Sequence, residues 1–229
     1  MPRARSLKQD DWQTAAESQN ASGCLSLYLL SLCSVLLISS LLAWFAFTVP
    51  TQAFASAPIA GNTTSTISPI FTKEIQYWSA DIARWANASS LDPNLVAVIM
   101  QIESCGDPRA VSSAGAMGLF QVMPFHFRFG ENPYNPETNA LRGLNYLSRS
   151  LHAANGNARL ALAGYNGGIG VITRSEWTWS AETLRYIRYG VPIYEDASRG
   201  TATSSALNEW YEKYGASLCR QASRRLGLN

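Results

Sequence analysis

From Leu25 to Val49 the chain carries no charged side chain, reading LSLYLLSLCSVLLISSLLAWFAFTV. That exceeds the roughly 20 residues a helix needs to cross a hydrocarbon core, and it outruns the apolar region of about 7–15 residues in a cleaved signal peptide. Core helices of soluble domains are seldom free of charge for so long, so a membrane-inserted segment is expected. Arg3, Arg5 and Lys8 precede it, and the next charge after it is Lys73. One-sided basic residues place the N-terminus in the cytoplasm and the rest of the chain outside. The expected organisation is a cytoplasmic tail over 1–24, an anchor in the plasma membrane or an uncleaved signal over 25–49, a linker over 50–71, and a domain over 72–229. The linker is rich in Pro, Ser, Thr, Ala and Gly, a composition suited to holding a domain off a surface. Ala53-Phe54-Ala55 fits a small-x-small cleavage site, and cutting near Ala55 would secrete the domain.

The domain reads as mainly α. Ile75, Trp78, Ile82 and Trp85 recur at helical spacing, predicting one helix from Lys73 to Ala88. Asp92-Pro93 supplies a cap and a first helical position for a helix to about Ser104, with Leu95, Val98, Ile99 and Ile102 on one face. Gly106 and Pro108 end it. Residues 109–130 alternate Gly, Ser and apolar residues, predicting loops with short extended pieces. Asn135-Pro136 opens a helix that turns Leu141, Leu144, Leu147 and Leu151 to the core. Asn157 opens another, ending at Tyr165 before Asn166-Gly167-Gly168. Ser180 caps a helix containing Glu182 and Tyr186, which Pro192 kinks or ends. Leu207, Trp210, Tyr211, Tyr214 and Leu218 predict a final helix packed on the domain.

Composition excludes several classes of function. A net charge of +2 without a long basic run gives nucleic acid no footprint. His126 and His152 lie far apart and no Cys-x-x-Cys occurs, so neither a metal nor another cofactor is expected. Trp177 and Trp179 read as packing residues. Cys24 and Cys33 belong to the apolar segment, leaving Cys105 and Cys219 in the domain. In an oxidising compartment these two are one possible intramolecular disulfide, the alternative being two separate buried thiols.

One run carries the chemistry: residues 103–124, ESCGDPRAVSSAGAMGLFQVMP. Glu103 follows Ala97-Val98-Ile99-Met100-Gln101-Ile102 with no cation close in sequence. A carboxyl in an apolar wall is held protonated, because desolvation disfavours its charged form, and that is what a general acid near neutral pH requires. Taken alone, Glu103 reads more readily as a solvated helix-end glutamate.

The run resembles the signature of lytic transglycosylases of the soluble (SLT) type: Glu103-Ser104, Pro108, Ser112, then Gly115-Ala116-Met117-Gly118-Leu119-Phe120-Gln121-Val122-Met123-Pro124. Phe120 departs from the usual Met. Tyr165-Asn166-Gly167-Gly168 and Glu182-Thr183-Leu184-Arg185-Tyr186 match two further elements in the family's order. The resemblance implies a goose-type-lysozyme-like helical fold with a small loop/strand region, acting as a monomer on the glycan strands of bacterial peptidoglycan. It implies non-hydrolytic cleavage of the MurNAc-GlcNAc β-1,4 bond, with Glu103 as acid and then base and the muramyl C6 hydroxyl as nucleophile, giving 1,6-anhydroMurNAc ends. It also carries Ser112 and Gln121 over as groups holding the N-acetyl and nearby oxygens, and Tyr165 as a partner of the reacting region. Phe120, Met123, Glu182 and Tyr186 carry over as cleft residues, with packing in the domain as the alternative for each, and Asn166 as a substrate-side residue that shapes the turn. Two other readings stay open: a hydrolytic lysozyme of the same fold, and a membrane-anchored glycan-binding protein without activity.

Overall fold

The computed structural model describes residues 66–228; the apolar segment 25–49 and the tail before it lie outside the described residues. Among those described, no helix is long and apolar enough to cross a membrane.

The domain is helical throughout: α1 (Lys73–Tyr77), α2 (Ser79–Ala88), α3 (Pro93–Glu103), α4 (Pro136–Ala153), α5 (Ala158–Gly167), α6 (Ala181–Arg199), α7 (Ser205–Trp210) and α8 (Ala216–Leu226), with a five-residue π turn, Tyr211–Gly215, between the last two. At its centre stands α3. Asp92 caps it, its carboxylate accepting from the Asn94 and Leu95 amides at 2.7 and 3.4 Å, and every residue from Leu95 to Gln101 is buried. An apolar helix without a polar face needs neighbours on all sides, and α2 and α6 pack directly against it. The single apolar face expected from Leu95, Val98, Ile99 and Ile102 is therefore too narrow: Ile102 is the least buried of the four.

Several expectations are corrected. The predicted 73–88 helix breaks at Trp78, whose indole N–H donates to the Gly106 carbonyl at 2.9 Å. The last residues of the expected linker belong to the domain, because Ile67 and Phe71 bury their side chains in its core. Leu141 is 54% exposed while Leu144 and Leu147 are buried. Two successive three-residue steps rotate a helical position by about 120°, so Leu141 cannot share a face with Leu147. Pro192 does not end α6, which continues to Arg199 and stops at Gly200, in the left-handed region at φ 68°. Tyr211 and Tyr214 are not packed away, because the π turn changes the register after Trp210. Trp177 stands 85% exposed, whereas Trp179 is buried and donates to the Val171 carbonyl.

The expected extended pieces reduce to two isolated antiparallel bridges, Val111–Met117 and Met117–Val122. This loop is held on one side by Ser104, whose hydroxyl donates to the Leu119 carbonyl at 2.7 Å and accepts from the Gly106 amide. On the other side is Asn139 of α4. Its Nδ2 donates to the Met117 and Pro133 carbonyls, and its Oδ1 accepts from the Phe120 amide. Gly118, at φ 76°, lets the loop pass so close that a β-carbon there would lie 2.3 Å from that same amide nitrogen. Only glycine fits.

Candidate active site

Glu103 is the last residue of α3, at the point where the buried helix meets a cleft of about 200 Å³. Ile102, Asn166, Glu182, Arg185, Tyr186, Tyr189, Trp210 and Tyr214 complete the lining. Burial pushes the Glu103 carboxyl up to about 8; the Tyr186 hydroxyl pulls the other way and the Glu182 charge adds to the rise. Its place in the last turn works in the same direction, since the partial negative charge at a helix C-terminus opposes a carboxylate. At neutral pH it carries its proton.

Tyr186 and Tyr165 flank this carboxyl differently. The Tyr186 hydroxyl is buried without a partner in hydrogen-bonding geometry, yet it lies near enough to Glu103 to influence its ionisation. It is placed to donate to the Glu103 carboxyl. The Tyr165 hydroxyl is already committed, donating to the Phe120 carbonyl at 2.7 Å. Burial raises the Tyr165 hydroxyl well above its ordinary pKa, and the Glu103 charge adds to that.

A second cleft, of about 350 Å³, shares Asn166 with the first and includes Gln121, Met123, Phe125, His126, Tyr146 and Tyr165 in its wall. Asn166 is steadied between the two by the Thr183 hydroxyl, which donates to its Oδ1 at 2.9 Å. Gln121 sits at φ 44°, an uncommon conformation for a residue with a side chain. Its Nε2 donates to the carbonyls of Ala110 and Gly118, so what it offers a ligand is its amide oxygen.

Not every expected site residue reaches a cleft. Phe120 is fully buried, its ring edge-on to Trp85 with centroids 6.1 Å apart. Gly143 makes room for it, since a β-carbon there would lie 2.6 Å from that of Phe120. Phe120 is thus a core residue that contributes its backbone carbonyl, not a cleft-lining ring. Ser112 lines neither cleft; its hydroxyl accepts from the Ala116 amide and closes the local turn. Met123 and Gln121 share the second cleft, and Glu182 and Tyr186 the first.

Sequence reasoning missed an aromatic series in the second cleft. Phe125, His126, Tyr146 and Tyr165 follow one another at centroid distances of 4.5, 4.9 and 5.7 Å. Phe125, 74% exposed directly after Pro124, was detectable as an aromatic at the end of the motif. Tyr146 gave no signal. The two acids that follow Glu103 in sequence are occupied elsewhere: Asp107 accepts from Gln221 and faces Arg225, and Glu131 pairs with Arg142. Glu182 is the other carboxylate of the Glu103 cleft.

Cys105 and Cys219 form a disulfide, with Cα atoms 5.0 Å apart. The buried Gln101 amide lies against it, its Nε2 3.2 Å from the Cys105 sulfur. The end of α3 is so tied covalently to α8.

The helical domain thus presents one protonated glutamate at the floor of a polar, aromatic-lined cleft. Residues 81–182 match the family described as Transglycosylase SLT domain. Relatives include a protein named Transglycosylase from Enterobacteria phage PRD1, 37% identical over 114 residues. Proteins named Endo-type membrane-bound lytic murein transglycosylase A are 30% identical over 126 residues in Citrobacter koseri and 31% over 120 in Salmonella paratyphi B. These alignments cover 49, 49 and 47% of this chain, and 40, 62 and 59% of the respective relatives.

Proposed function

We propose that the chain is a peptidoglycan lytic transglycosylase in which Glu103 is both acid and base. The observation that carries this reading is the Glu103 carboxyl itself, desolvated at the floor of a cleft and raised to about 8. In its protonated form it gives the proton to the glycosidic oxygen as the muramyl C1–O bond breaks. The resulting carboxylate then takes the proton of the muramyl C6 hydroxyl as that oxygen bonds to C1, which closes the 1,6-anhydro ring and restores the acid. Tyr186 supports the second half, since its unpartnered hydroxyl can donate to the newly formed carboxylate. Gln121, Asn166 and Met123 serve sugar binding along the joined clefts.

Glu182 favours a second reading. Two carboxyl groups in one cleft are the usual equipment of a hydrolase, and a water activated by Glu182 would make the enzyme a muramidase. Mass analysis of muropeptides released from purified peptidoglycan separates the two: anhydro ends are lighter by one water than reducing ends. Products carrying reducing ends alone would replace the first reading by the second.

The localisation proposed is a single anchor at 25–49, with residues 1–24 in the cytoplasm, 50–65 as tether, and the catalytic domain facing the wall. The uncharged segment and one-sided basic residues support this topology, and the enteric relatives bear membrane-bound in their names. Protease added to spheroplasts should digest the domain; full protection would reverse the orientation.

A further inference from the structure

Three acid–arginine pairs stand three residues apart along helices of this domain, and they behave differently. Asp81 with Arg84 and Asp196 with Arg199 are each closed at 2.7 Å. Glu182 and Arg185 form no ion pair. Both line the Glu103 cleft, and both are exposed. The Arg185 guanidinium lies instead over the Tyr214 ring, 5.5 Å from its centroid, and Tyr189 meets that ring edge-on at 5.7 Å. Stacking on an aromatic face holds a guanidinium without using its in-plane N–H donors.

The neighbouring charges are engaged elsewhere. Glu209 takes Arg188, Lys213 and the Tyr189 hydroxyl. Arg185 and Glu182 are left as a separated positive and negative charge on one wall, one helical turn apart and beside the acid. Arg185, Tyr189 and Tyr214 lie beyond residues 81–182, so this wall, Glu182 apart, is built by the part of the chain outside the family match. The π turn that presents Tyr214 is secured by Gly215, where a β-carbon would strike the Trp210 ring at 2.4 Å.

We propose that this wall is a subsite for a zwitterionic amino-acid group, its carboxylate on Arg185 and its ammonium on Glu182. The stem peptide borne by the muramyl residue carries groups of that chemistry. This proposal rests on the peptidoglycan reading and adds the substrate feature that the enzyme selects: strands with un-crosslinked stems over peptide-free strands. Tyr214 positions Arg185.

The test measures binding of the full chain in the Glu103→Gln background to soluble glycan strands, so it does not depend on turnover. Three strand preparations are compared: stems intact, stem amines acetylated, and stems removed. Intact stems should bind about tenfold more tightly than peptide-free strands, the scale of one charge-assisted contact. Adding Arg185→Gln should erase that preference, Arg185→Lys should restore part of it, and adding Glu182→Gln should abolish the effect of acetylation. A chain that binds all three preparations equally, or whose preference survives Arg185→Gln, overturns the subsite. Absence of anhydro ends in digests by the unmodified chain would instead overturn the catalytic reading, and the binding comparison would still decide the subsite.

Discussion

The Ser104 hydroxyl, one residue beyond the candidate acid, donates to the Leu119 carbonyl at 2.7 Å and so ties the end of the buried helix to the loop that forms the second cleft. The same oxygen accepts from the Gly106 amide. The Glu-Ser pair therefore couples chemistry to architecture: the first residue faces the cleft, and the second fixes the loop beside it.

Ser104→Ala leaves the Leu119 carbonyl and the Gly106 amide without that partner in a buried site. The expected loss is about 1–3 kcal/mol of stability, read from the midpoint of urea unfolding. Turnover should fall as well, because the loop carrying Gln121 and Met123 loses an attachment.

Glu103→Gln should reduce release of muropeptides by several orders of magnitude while the protein stays folded, since one group serves both proton transfers. A variant keeping a tenth of the activity would refute the assignment.

The pH dependence follows from the carboxyl held up to about 8. Activity that needs the protonated acid should decline as pH rises through about 8. For stability, the unfolded chain ionises Glu103 above about 4.5, while the folded chain keeps it neutral until about 8. The folded state binds more protons in that window, so stability attributable to this group falls across it and levels off above. Glu103→Gln should therefore gain on the unmodified protein between pH 4.5 and 8, by an increment on the order of 1–4 kcal/mol, measured by chemical unfolding at both ends of the window.

Asn139→Ala removes the clamp on the Met117 and Pro133 carbonyls and the Phe120 amide. The buried Phe120 amide loses its partner, and the part-buried Met117 and Pro133 carbonyls each lose one, so the expected destabilisation is about 2–4 kcal/mol. Increased amide exchange at Gly118–Phe120 would locate the damage in the loop.

Replacing Cys105 and Cys219 together by Ser should cost about 2–5 kcal/mol, and the oxidised protein, unfolded without reductant, should offer no thiol from these positions to a labelling reagent. Reaction at both would show them unbonded.

What the sequence made legible, and what it hid, follows from the range of the interactions involved. The apolar run before Glu103, interrupted only by Gln101, announced a buried helix, and Asp92-Pro93 and Asn157 announced helix starts, because these are local effects. Asn139 carried no such mark. It reads as a polar residue in the first turn of α4, and only the fold shows it holding a loop some twenty residues away. Phe120 was ambiguous for a related reason. A ring in a motif can face a ligand or the core, and the room left by Gly143 decides for the core. The wall of Arg185 and Tyr214 was invisible, since it depends on an extra residue in one turn of the C-terminal helices and on α6 packing against α7.

The cysteines that close this domain are 114 positions apart in sequence. A ribosome delivers the chain N-terminus first, so the Glu103 helix is complete long before the second sulfur exists. During that interval Cys105 lacks the partner it has in the finished domain. The domain is consequently sealed late, after the loop, α6 and the Tyr214 wall have all been made. A chain stopped anywhere in between would keep its acid but leave the helix end unlatched.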